Sequence, residues 1–535
     1  MRPFVLGGLA VHVFGGWEEI GGNQILLKDR EGALLLDFGR PFGRWGTYFT
    51  EFLSPRTARF GLRDHLFLGL LPPLPGLYRE GPADTLFPSD LERDLLGGGL
   101  PSGEKVLALL LSHAHLDHTG AVGYLRGDLP IVATAATAAV VKAMQDTAQA
   151  GVDGEAAYLT PRRPNADKGG VLDGDRELYL RRPYRVLGSL GRFHERSPSK
   201  KGLGGHPWEE ARAPLPLGPF RVEAFPVDHS IPGAAAFAVE TSEGLLVYTG
   251  DLRRHGRWWE RTEAFPRALE GREVFLLVAE GTRLEEGGPA RTEGEVKEAL
   301  HAEVARWKGC PVAVDFAPRN LERLLACLEV AEEVGRRLVV TVKDAYLLYG
   351  LAEAEPDPWE GVLWEVLVLK EEKNRTGAWE KVLQDEARVR EREISLKEVA
   401  QDPGAYLLAF GFYEVNRLLD LRLLEAALGG KARRGAYIFS NSYWADQEQV
   451  LDLQVLLAWL RQLDFHLLPE SLADLPQDPA GVKNPFHTSG HAPEPDLLEV
   501  VRRLRPRHLL PVHTERPERW RELLLGEGTK VLLRE

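Results

Sequence analysis

Short apolar runs separated by glycines and polar residues dominate the chain from its start to about residue 280. Runs of this length, bounded by turn residues, predict β-strands. The predicted strands are Phe4–Leu6, Val11–Phe14, Gln24–Leu27, Ala33–Asp37, Val106–Leu111, Ile131–Ala133, Phe220–Phe225, Ala235–Val239, Leu245–Thr249 and Val274–Ala279. Between them, Gly120–Leu125 favours a helix start and Thr134–Met144 an alanine-rich helix. Residues 150–215 are rich in Gly, Pro and Arg with little periodicity, and predict a long, partly irregular insertion.

The pattern changes near Thr292, where Thr292 and Glu295 form a capping box before an amphipathic helix that runs to about Trp307. Strand-like and helix-like segments then alternate, which indicates a parallel sheet with connecting helices. These segments are Val312–Val314, Asn320–Val334, Leu338–Val340, Tyr406–Leu408, Val415–Leu428 and Ala436–Phe439. From about Asn484 the earlier pattern of glycines and histidines returns. We therefore predict a first domain over 1–291, an α/β domain over 292–483, and a return to the first domain over 484–535.

Composition places this chain among globular proteins with more than one compact unit. It has 535 residues, of which 44% are apolar and 27% charged. No apolar run reaches the roughly 18 residues of a membrane span, and the N-terminus lacks a basic region followed by an uninterrupted apolar core. We therefore expect a cytoplasmic protein without a membrane partner. The 2 cysteines exclude a disulfide framework and a thiolate-rich metal site, leaving imidazole and carboxylate ligands, which favour zinc or manganese.

The formal net charge of −13 argues against a surface that is basic throughout. A nucleic-acid enzyme, however, needs only a local basic groove beside its metals, so net charge decides little. Within Arg181–Lys201, seven basic residues face one acid, with Tyr184 and Phe193 interleaved. This segment fits a nucleic-acid contact and a solvated loop about equally well.

Metal-competent side chains are concentrated in one short segment. The sequence Ser112-His113-Ala114-His115-Leu116-Asp117-His118 directly follows the predicted strand Val106–Leu111. His113 and His115 lie two residues apart at a strand end, so their rings point the same way and can share one metal. Asp117 and His118 fall on the next turn and can serve a second metal. A histidine-rich loop without metal is the alternative.

Two more predicted strands end in residues of ligand type. One is followed by His229, within Pro226-Val227-Asp228-His229-Ser230-Ile231-Pro232, and the other by Asp251, within Tyr248-Thr249-Gly250-Asp251. A carboxylate can bridge two cations and a neutral histidine cannot, so Asp251 is the predicted bridge. Either residue alone would be an ordinary loop residue, but beside the histidine cluster we favour both as ligands.

In these motifs the chain resembles the metallo-β-lactamase superfamily. The superfamily carries, in order, an aspartate after an early strand, a His-x-His-x-Asp-His cluster, a histidine, an aspartate and a final histidine. The first four of these motifs are matched, in the same order, by Asp37, residues 113–118, His229 and Asp251. More narrowly, the chain resembles the β-CASP branch of nucleases, which includes ribonuclease J and Artemis. That resemblance implies an αββα metallo-β-lactamase sandwich with an inserted α/β β-CASP domain.

Three further motifs of the β-CASP branch have matches in this chain. They are Glu280 in Val278-Ala279-Glu280-Gly281-Thr282, His491 in Ser489-Gly490-His491-Ala492 and His513 in Leu509-Leu510-Pro511-Val512-His513. In the family the third position is histidine in RNA-acting members and typically valine in DNA-acting ones. His513 therefore indicates RNA.

The resemblance, with the chemistry of two-metal sites, also implies roles for the matched residues. One metal is expected on His113, His115, His229 and Asp251, and the other on Asp117, His118, Asp251 and His513. The expected catalytic set is Asp117, Glu280 and His491, with His491 as general acid and Glu280 holding its ring. Ser489, the Gly490 amide and His491 are expected to bind phosphate oxygens. Asp37 is expected behind the ligands, orienting the cluster loop or a ligand histidine, although a strand-end aspartate without that role is the alternative.

These expectations define a metal-dependent ribonuclease that hydrolyses RNA phosphodiesters. Two divalent ions are expected as cofactors, zinc first and manganese second, with single-stranded RNA as the substrate. The alternatives are a DNA nuclease or other phosphodiester or ester hydrolase on the same fold, and an inactive scaffold subunit. The sequence leaves open endonucleolytic against 5′-exonucleolytic cleavage, and also the oligomeric state.

Overall fold

The computed structural model describes residues 2–30, 32–50, 52–97, 105–148, 151–175, 177–371, 373, 375–429, 433–443, 447–476 and 482–534. The chain divides into two compact units, each built from more than one segment. The first unit comprises residues 1–254, 258–289 and 491–535, and the second comprises 255–257 and 290–490. The predicted limits of the inserted domain, 292 and 483, both fall inside the second unit.

The first segment begins with strands at the predicted places. The elements up to residue 148 are β1 (Phe4–Leu6), β2 (Leu9–Gly15), β3 (Gln24–Asp29), β4 (Gly32–Phe38), α1 (Phe42–Tyr48), α2 (Thr57–Phe60), α3 (Arg63–Phe67), α4 (Asp90–Asp94), β5 (Val106–Leu110), α5 (Leu116–Thr119), β6 (Ile131–Thr134) and α6 (Ala135–Thr147). The helix start predicted at Gly120–Leu125 is wrong. One α-helical turn, α5, precedes it, and Val122–Tyr124 form only a 3-10 turn.

The predicted irregular insertion over 150–215 is more ordered than its sequence indicated. It contains β7 (Tyr158–Leu159), β8 (Arg162–Asn165), β9 (Val171–Gly174), β10 (Leu178–Arg181), β11 (Tyr184–Leu187), β12 (Gly202–Gly205), β13 (Glu209–Ala211) and β14 (Leu215–Leu217). Strands of two to four residues are too short to show an alternating pattern, which is why the sequence does not reveal them. β11 pairs in parallel with both β6 and β13 and so extends the main sheet.

Arg182, near the start of the basic segment, is a structural residue. Its guanidinium is fully buried and donates hydrogen bonds to the carbonyl oxygens of Glu155, at 2.8 Å, and Gly123, at 2.9 Å. Burial and the charge of Arg79 lower the pKa of Arg182 to about 10. Arg182 therefore connects the insertion to the turn around Gly123 and is buried too deeply to contact a nucleic acid.

The first unit continues with β15 (Phe220–Pro226), β16 (Ala235–Thr241), β17 (Gly244–Tyr248), α7 (Trp259–Ala268) and β18 (Val274–Ala279). The elements of the second unit are α8 (Glu293–Arg306), β19 (Val312–Asp315), α9 (Leu321–Glu333), β20 (Arg337–Val340), α10 (Val342–Ala354), α11 (Pro356–Glu365), β21 (Leu367–Leu369), α12 (Ala378–Asp385), α13 (Ala387–Arg390), β22 (Glu393–Ile394), α14 (Leu396–Gln401), β23 (Tyr406–Leu408), α15 (Val415–Ala427), β24 (Gly435–Phe439), α16 (Gln447–Gln462) and β25 (Phe465–Leu468). The chain then returns to the first unit with α17 (Glu494–Leu504), β26 (His508–Pro511), α18 (Arg519–Leu523) and β27 (Lys530–Val531).

The second unit is the predicted parallel α/β domain. Its strands pair in parallel in the order β22-β21-β20-β23-β19-β24-β25. Its first helix, α8, has the predicted capping box, because Thr292 Oγ1 accepts from the Glu295 amide while the Glu295 carboxylate accepts from the Thr292 amide. None of the helices in the described part of the chain is both long and apolar enough to cross a membrane.

Two facing sheets form the core of the first unit. One has the strand order β1-β2-β3-β4-β5-β6-β11-β13 and the other β14-β15-β16-β17-β18-β26-β27. Their inner faces share one apolar cluster, to which β4 contributes Leu34 and Leu36 and β18 contributes Leu276 and Val278. The outer face of the second sheet packs against α7, α17 and α18, and α6 lies against β6 and β11 of the first. This arrangement confirms the predicted αββα sandwich.

Truncating Leu276 to alanine tests how far the facing sheets determine stability. Leu276 is fully buried between the sheets. Leu276→Ala should therefore lower the free energy of unfolding by about 2–5 kcal/mol, the usual cost of a cavity in a packed core. Urea unfolding followed by circular dichroism measures this change. Leu525→Ala, whose side chain is 84% exposed, is the control and should stay within about 0.5 kcal/mol of the parent. Equal effects of the two substitutions would contradict the assigned core.

Candidate metal centre

The predicted site residues of the first unit meet where strands of its two sheets end. Each lies at or just beyond the carboxyl end of a strand, except His491, which lies just before α17. Asp37 is the second-last residue of β4, residues 113–118 follow β5, His229 follows β15, Asp251 follows β17, Glu280 follows β18 and His513 follows β26. β4 pairs in parallel with β5, and β18 pairs in parallel with β17 on one side and with β26 on the other. Chain ends of parallel strands share a sheet edge, which brings these side chains together.

Three imidazoles converge on one point. Nδ1 of His115 lies 3.2 Å from Nε2 of His113 and 3.1 Å from Nε2 of His229. An imidazole binds a metal through the lone pair of a ring nitrogen. When such nitrogens lie about 2.0–2.1 Å from a tetrahedral ion, they lie about 3.3 Å from one another. The spacing of these three nitrogens therefore fits a single cation.

Oδ2 of Asp251 is the shared atom of the cluster. It lies 3.0 Å from Nε2 of His118, 3.4 Å from Nε2 of His513, 3.6 Å from Nε2 of His113 and 3.9 Å from Nε2 of His229. The same carboxylate oxygen thus faces histidines from both predicted ligand sets, which is the position that a bridging ligand needs.

A second group of possible ligand atoms lies on the other side of Asp251. Asp117 Oδ2 lies 3.2 Å from His513 Nε2 and 3.6 Å from His118 Nε2. The potential ligand atoms of Asp117, His118, Asp251 and His513 all lie within 4.8 Å of one another. Among the described residues, His118 Nε2 and Asp251 Oδ1 are buried atoms that make no hydrogen bond. Buried polar atoms without partners are costly, and a cation between these side chains would satisfy both.

The charges of the cluster shift its pKa values strongly. Burial opposes charge on His118, but Asp251, Asp117 and Asp37 outweigh it and raise the pKa of His118 well above its ordinary value. Burial likewise opposes charge on Asp251, but His118, His513 and His491 hold its pKa well below the usual range. Burial and the charge of His118 lower the pKa of His113. The buried carboxylates are therefore stabilised by positive charge at this point. A divalent cation supplies that charge without the mutual repulsion of several protonated imidazoles.

Asp37 is fully buried behind the cluster and contacts three of its neighbours. Its Oδ2 accepts hydrogen bonds from the Ser112 hydroxyl at 2.6 Å, from Nδ1 of His118 at 2.6 Å and from the Tyr248 hydroxyl at 2.6 Å. Its Oδ1 accepts from the Ser112 amide at 2.7 Å. A carboxylate only accepts, so Nδ1 of His118 carries a hydrogen, and when the ring is neutral the lone pair is on Nε2, which faces Asp251 and Asp117. The backbone of Asp37 has φ +53°, a strained conformation that the surrounding hydrogen bonds hold in place.

Glu280 and His491 form a pair beside the cluster. Oε2 of Glu280 accepts from Nδ1 of His491 at 2.9 Å, and Oε1 accepts from the Leu252 amide at 2.7 Å. Burial opposes charge on His491, but Glu280 and Asp251 raise its pKa to about 9. Nδ1 of His491 also lies 3.9 Å from Asp251 Oδ2. Asp251, Glu280, His491 and His513 make a third group with ligand atoms within 4.8 Å, so this pair is also close enough to touch a cation.

Two glycines allow the chain to come this close to Asp117. A Cβ on Gly39 would lie 1.6 Å from the carbonyl oxygen of Asp117, and a Cβ on Gly21 would lie 2.6 Å from its Oδ2. Gly21 also has φ +77°, in the left-handed region. Any side chain at either position would displace the turn that carries Asp117 and His118.

The structure brings together all the predicted metal ligands, the Glu280–His491 pair and Asp37. Ser489 and Gly490 end the second unit, where the Ser489 carbonyl oxygen accepts from Nε2 of His255 at 2.9 Å. Their phosphate-binding role stays a prediction.

Sequence reasoning missed several supporting residues. Ser112, Tyr248 and Thr282 lie inside the recognised motifs but received no role, although a hydroxyl beside a ligand histidine is a usable signal. Asn23 donates to the Tyr248 hydroxyl at 2.9 Å, and no sequence pattern singled it out. Contacts of this kind join residues far apart in the chain.

Comparison with known families agrees with this geometry. A family model described as "Metallo-beta-lactamase superfamily" matches residues 84–276, and one described as "Zn-dependent metallo-hydrolase RNA specificity domain" matches residues 480–532. The first match contains the histidine cluster, His229 and Asp251, and the second contains His491 and His513.

Curated relatives share the same name at low identity. The chain is 23% identical over 526 residues to ribonuclease J of Pyrococcus abyssi, covering 95% of this chain and 90% of that protein. It is 24% identical over 347 residues to ribonuclease J of Mycolicibacterium smegmatis, covering 63% of this chain and 45% of that protein. The chain thus spans less than half the length of the mycobacterial relative and nearly all of the archaeal one.

A solved structure shows the same fold over almost the whole chain. It is a protein of unknown function from Enterococcus faecalis, which superposes with a TM-score of 0.62 at 20% identity and covers 98% of both chains. The αββα sandwich, the ordered His and Asp motifs and the matched families agree with one another. Residues 84–276 match the metallo-β-lactamase superfamily, and the chain is similar to proteins named ribonuclease J.

Proposed function

We propose that this protein is a metal-dependent ribonuclease that hydrolyses RNA phosphodiesters. The observation that carries the proposal is the convergence of two groups of possible ligands on a single buried oxygen, Asp251 Oδ2. A catalytically inactive scaffold has no need to retain such a set. RNA as the substrate class is supported by the match to a family model for an RNA specificity domain and by the relatives named ribonuclease J.

Both proposed metal positions share the Asp251 carboxylate. His113, His115 and His229 would hold one ion, and Asp117, His118 and His513 the other. Two divalent ions at such a site supply a water activated at neutral pH and neutralise charge on the phosphodiester. We propose zinc as the resident metal because imidazole and carboxylate ligands suit it, with manganese as the alternative.

His491 is the proposed general acid. Glu280 and Asp251 raise the pKa of His491 to about 9, which favours the protonated ring that a leaving oxygen needs. Glu280 accepts from Nδ1 of His491, which leaves Nε2 of the ring to deliver a proton to the leaving oxygen. Ser489 and the Gly490 amide precede His491 in the chain, and we propose that they bind oxygens of the same phosphate.

Cleavage of RNA is the direct test of the proposed function. The zinc-loaded protein should degrade single-stranded RNA and leave DNA of the same sequence intact, and Asp251→Ala should abolish cleavage. Matched oligonucleotides that carry an internal label and either a 5′ monophosphate or a 5′ hydroxyl distinguish the modes of attack. Nucleotides released from the 5′ end indicate an exonuclease, and discrete internal fragments an endonuclease. Preferred cleavage of DNA, or no cleavage by a protein with full metal content, would contradict the proposal.

Metal content tests the bridging role of Asp251. Asp251→Ala should lose at least one of two bound ions, because it removes a ligand that both positions share. Elemental analysis after removal of free metal by gel filtration measures the ratio of zinc to protein. Asp128→Ala, at an aspartate with 69% side-chain exposure, is the matched control and should retain the content of the parent. Two ions retained by Asp251→Ala would exclude the bridging role.

Turnover and its pH dependence test His491. His491→Ala should keep the zinc content of the parent and lose turnover by roughly 100-fold or more, the usual worth of a general acid. In the parent, kcat/KM should fall as pH rises through a pKa at or below about 9, since the carboxylates raise the pKa and the cations oppose them. This fall, the basic limb of the pH profile, should be absent in His491→Ala. It should persist in His206→Ala, a substitution at an exposed histidine. Loss of zinc from His491→Ala would identify it as a ligand instead.

A further inference from the structure

The hydroxyl of Thr282 lies between the Glu280–His491 pair and a candidate metal ligand. Its Oγ1 is 2.8 Å from Oε2 of Glu280, 2.8 Å from Nδ1 of His513 and 3.2 Å from Nδ1 of His491. None of the motif assignments gives this threonine a role. Its position links two groups that the proposed reaction uses separately.

The direction of these hydrogen bonds follows from the chemistry of the groups. Glu280 as a carboxylate only accepts, so the Thr282 hydroxyl donates to it. The single hydroxyl hydrogen is then used, and the oxygen can only accept from His513. Nδ1 of His513 must therefore carry its hydrogen, which leaves the lone pair on Nε2.

That lone pair points at negative charge. Nε2 of His513 lies 3.2 Å from Asp117 Oδ2 and 3.4 Å from Asp251 Oδ2. The lone pair on Nε2 and the two carboxylate oxygens repel one another unless a cation lies between them. Thr282 thus holds His513 in the tautomer that can bind metal and disfavours the tautomer that could hydrogen-bond to the carboxylates instead.

The pairing of β18 with β26 places Thr282 beside His513. Ala279 is in register with Pro511, and the Val512 amide donates to the Ala279 carbonyl oxygen at 2.9 Å. One residue further on, the Gly281 amide donates to the His513 carbonyl oxygen at 3.3 Å. Two strand ends locked in this way bring the hydroxyl to the ring with little freedom to move.

We propose that Thr282 is a positioning residue for metal binding, which selects the metal-competent tautomer of His513 and connects that ligand to Glu280. This inference rests on the metal-dependent function proposed above. Thr282→Val keeps the shape of the side chain and removes the hydroxyl. Glu280 would still accept from His491 Nδ1 and from the Leu252 amide, so the proposed acid pair is expected to survive the substitution.

Zinc binding and the pH profile together test the inference. Competition with a chromogenic zinc chelator should show that Thr282→Val weakens the second zinc equivalent by roughly 10–100-fold, the usual cost of removing a hydrogen-bond partner behind a metal ligand. Thr282→Ser, which restores the hydroxyl, should bind both equivalents nearly as tightly as the parent. Thr147→Val, at a threonine whose hydroxyl donates to the Ala143 carbonyl oxygen, is the control and should leave binding unchanged. At saturating zinc, Thr282→Val should keep the basic limb of the pH profile assigned to His491.

Three results would overturn the inference. Thr282→Val could bind both equivalents with the affinity of the parent, Thr282→Ser could lose as much affinity as Thr282→Val, or the basic limb could vanish along with the hydroxyl. Circular dichroism of each variant shows that its fold is retained. Because zinc binding is measured without RNA, failure of the proposed ribonuclease activity would remove only the pH profile, and the two affinity comparisons would still decide the inference by themselves.

Discussion

The charge on Asp251 is the constraint on which the site depends. Its Oδ2 is buried among ring nitrogens of His118, His513, His113, His229 and His491 at 3.0–3.9 Å. A buried carboxylate is costly unless positive charge compensates it, and protons on so many adjacent imidazoles repel one another. Divalent cations would remove that conflict, because each would accept lone pairs from several rings at once. The ligand side chains reach one point because strands of both sheets have their carboxyl ends there.

Two further buried carboxylates determine how the histidines face Asp251. Asp37 accepts from Nδ1 of His118, and Glu280 reaches Nδ1 of His513 through the Thr282 hydroxyl. The two sheets thus use the same device, in which an acid behind the ring leaves Nε2 free toward the centre. Asp37 and His513 both have left-handed backbones, with φ of +53° and +52°. Strain at these positions is consistent with a site whose geometry matters more than local stability.

Much of this architecture could be predicted from the sequence because its signals are local. The apolar runs predicted β1–β6 of one sheet and β15–β18 of the other, the Thr292 capping box predicted the start of α8, and the spacing of residues 113–118 predicted the cluster. The strands within 150–215 escaped prediction because two to four residues carry no periodicity, and their pairing partners lie elsewhere in the chain. In the sequence, Arg182 belongs to a basic segment that resembles an exposed loop. Only the structure reveals that its guanidinium is buried against carbonyl oxygens. The role of Thr282 depends on the register of β18 against β26, which no sequence pattern specifies.

The central claim is that two cations share Asp251. Anomalous diffraction at the zinc edge, from crystals of the protein loaded with zinc, tests it most directly. The account predicts two peaks about 3.5–4 Å apart, one within ligand distance of His113, His115 and His229 and the other within ligand distance of Asp117, His118 and His513, with the Asp251 carboxylate between them. A single peak, or two peaks that do not share Asp251, would contradict it.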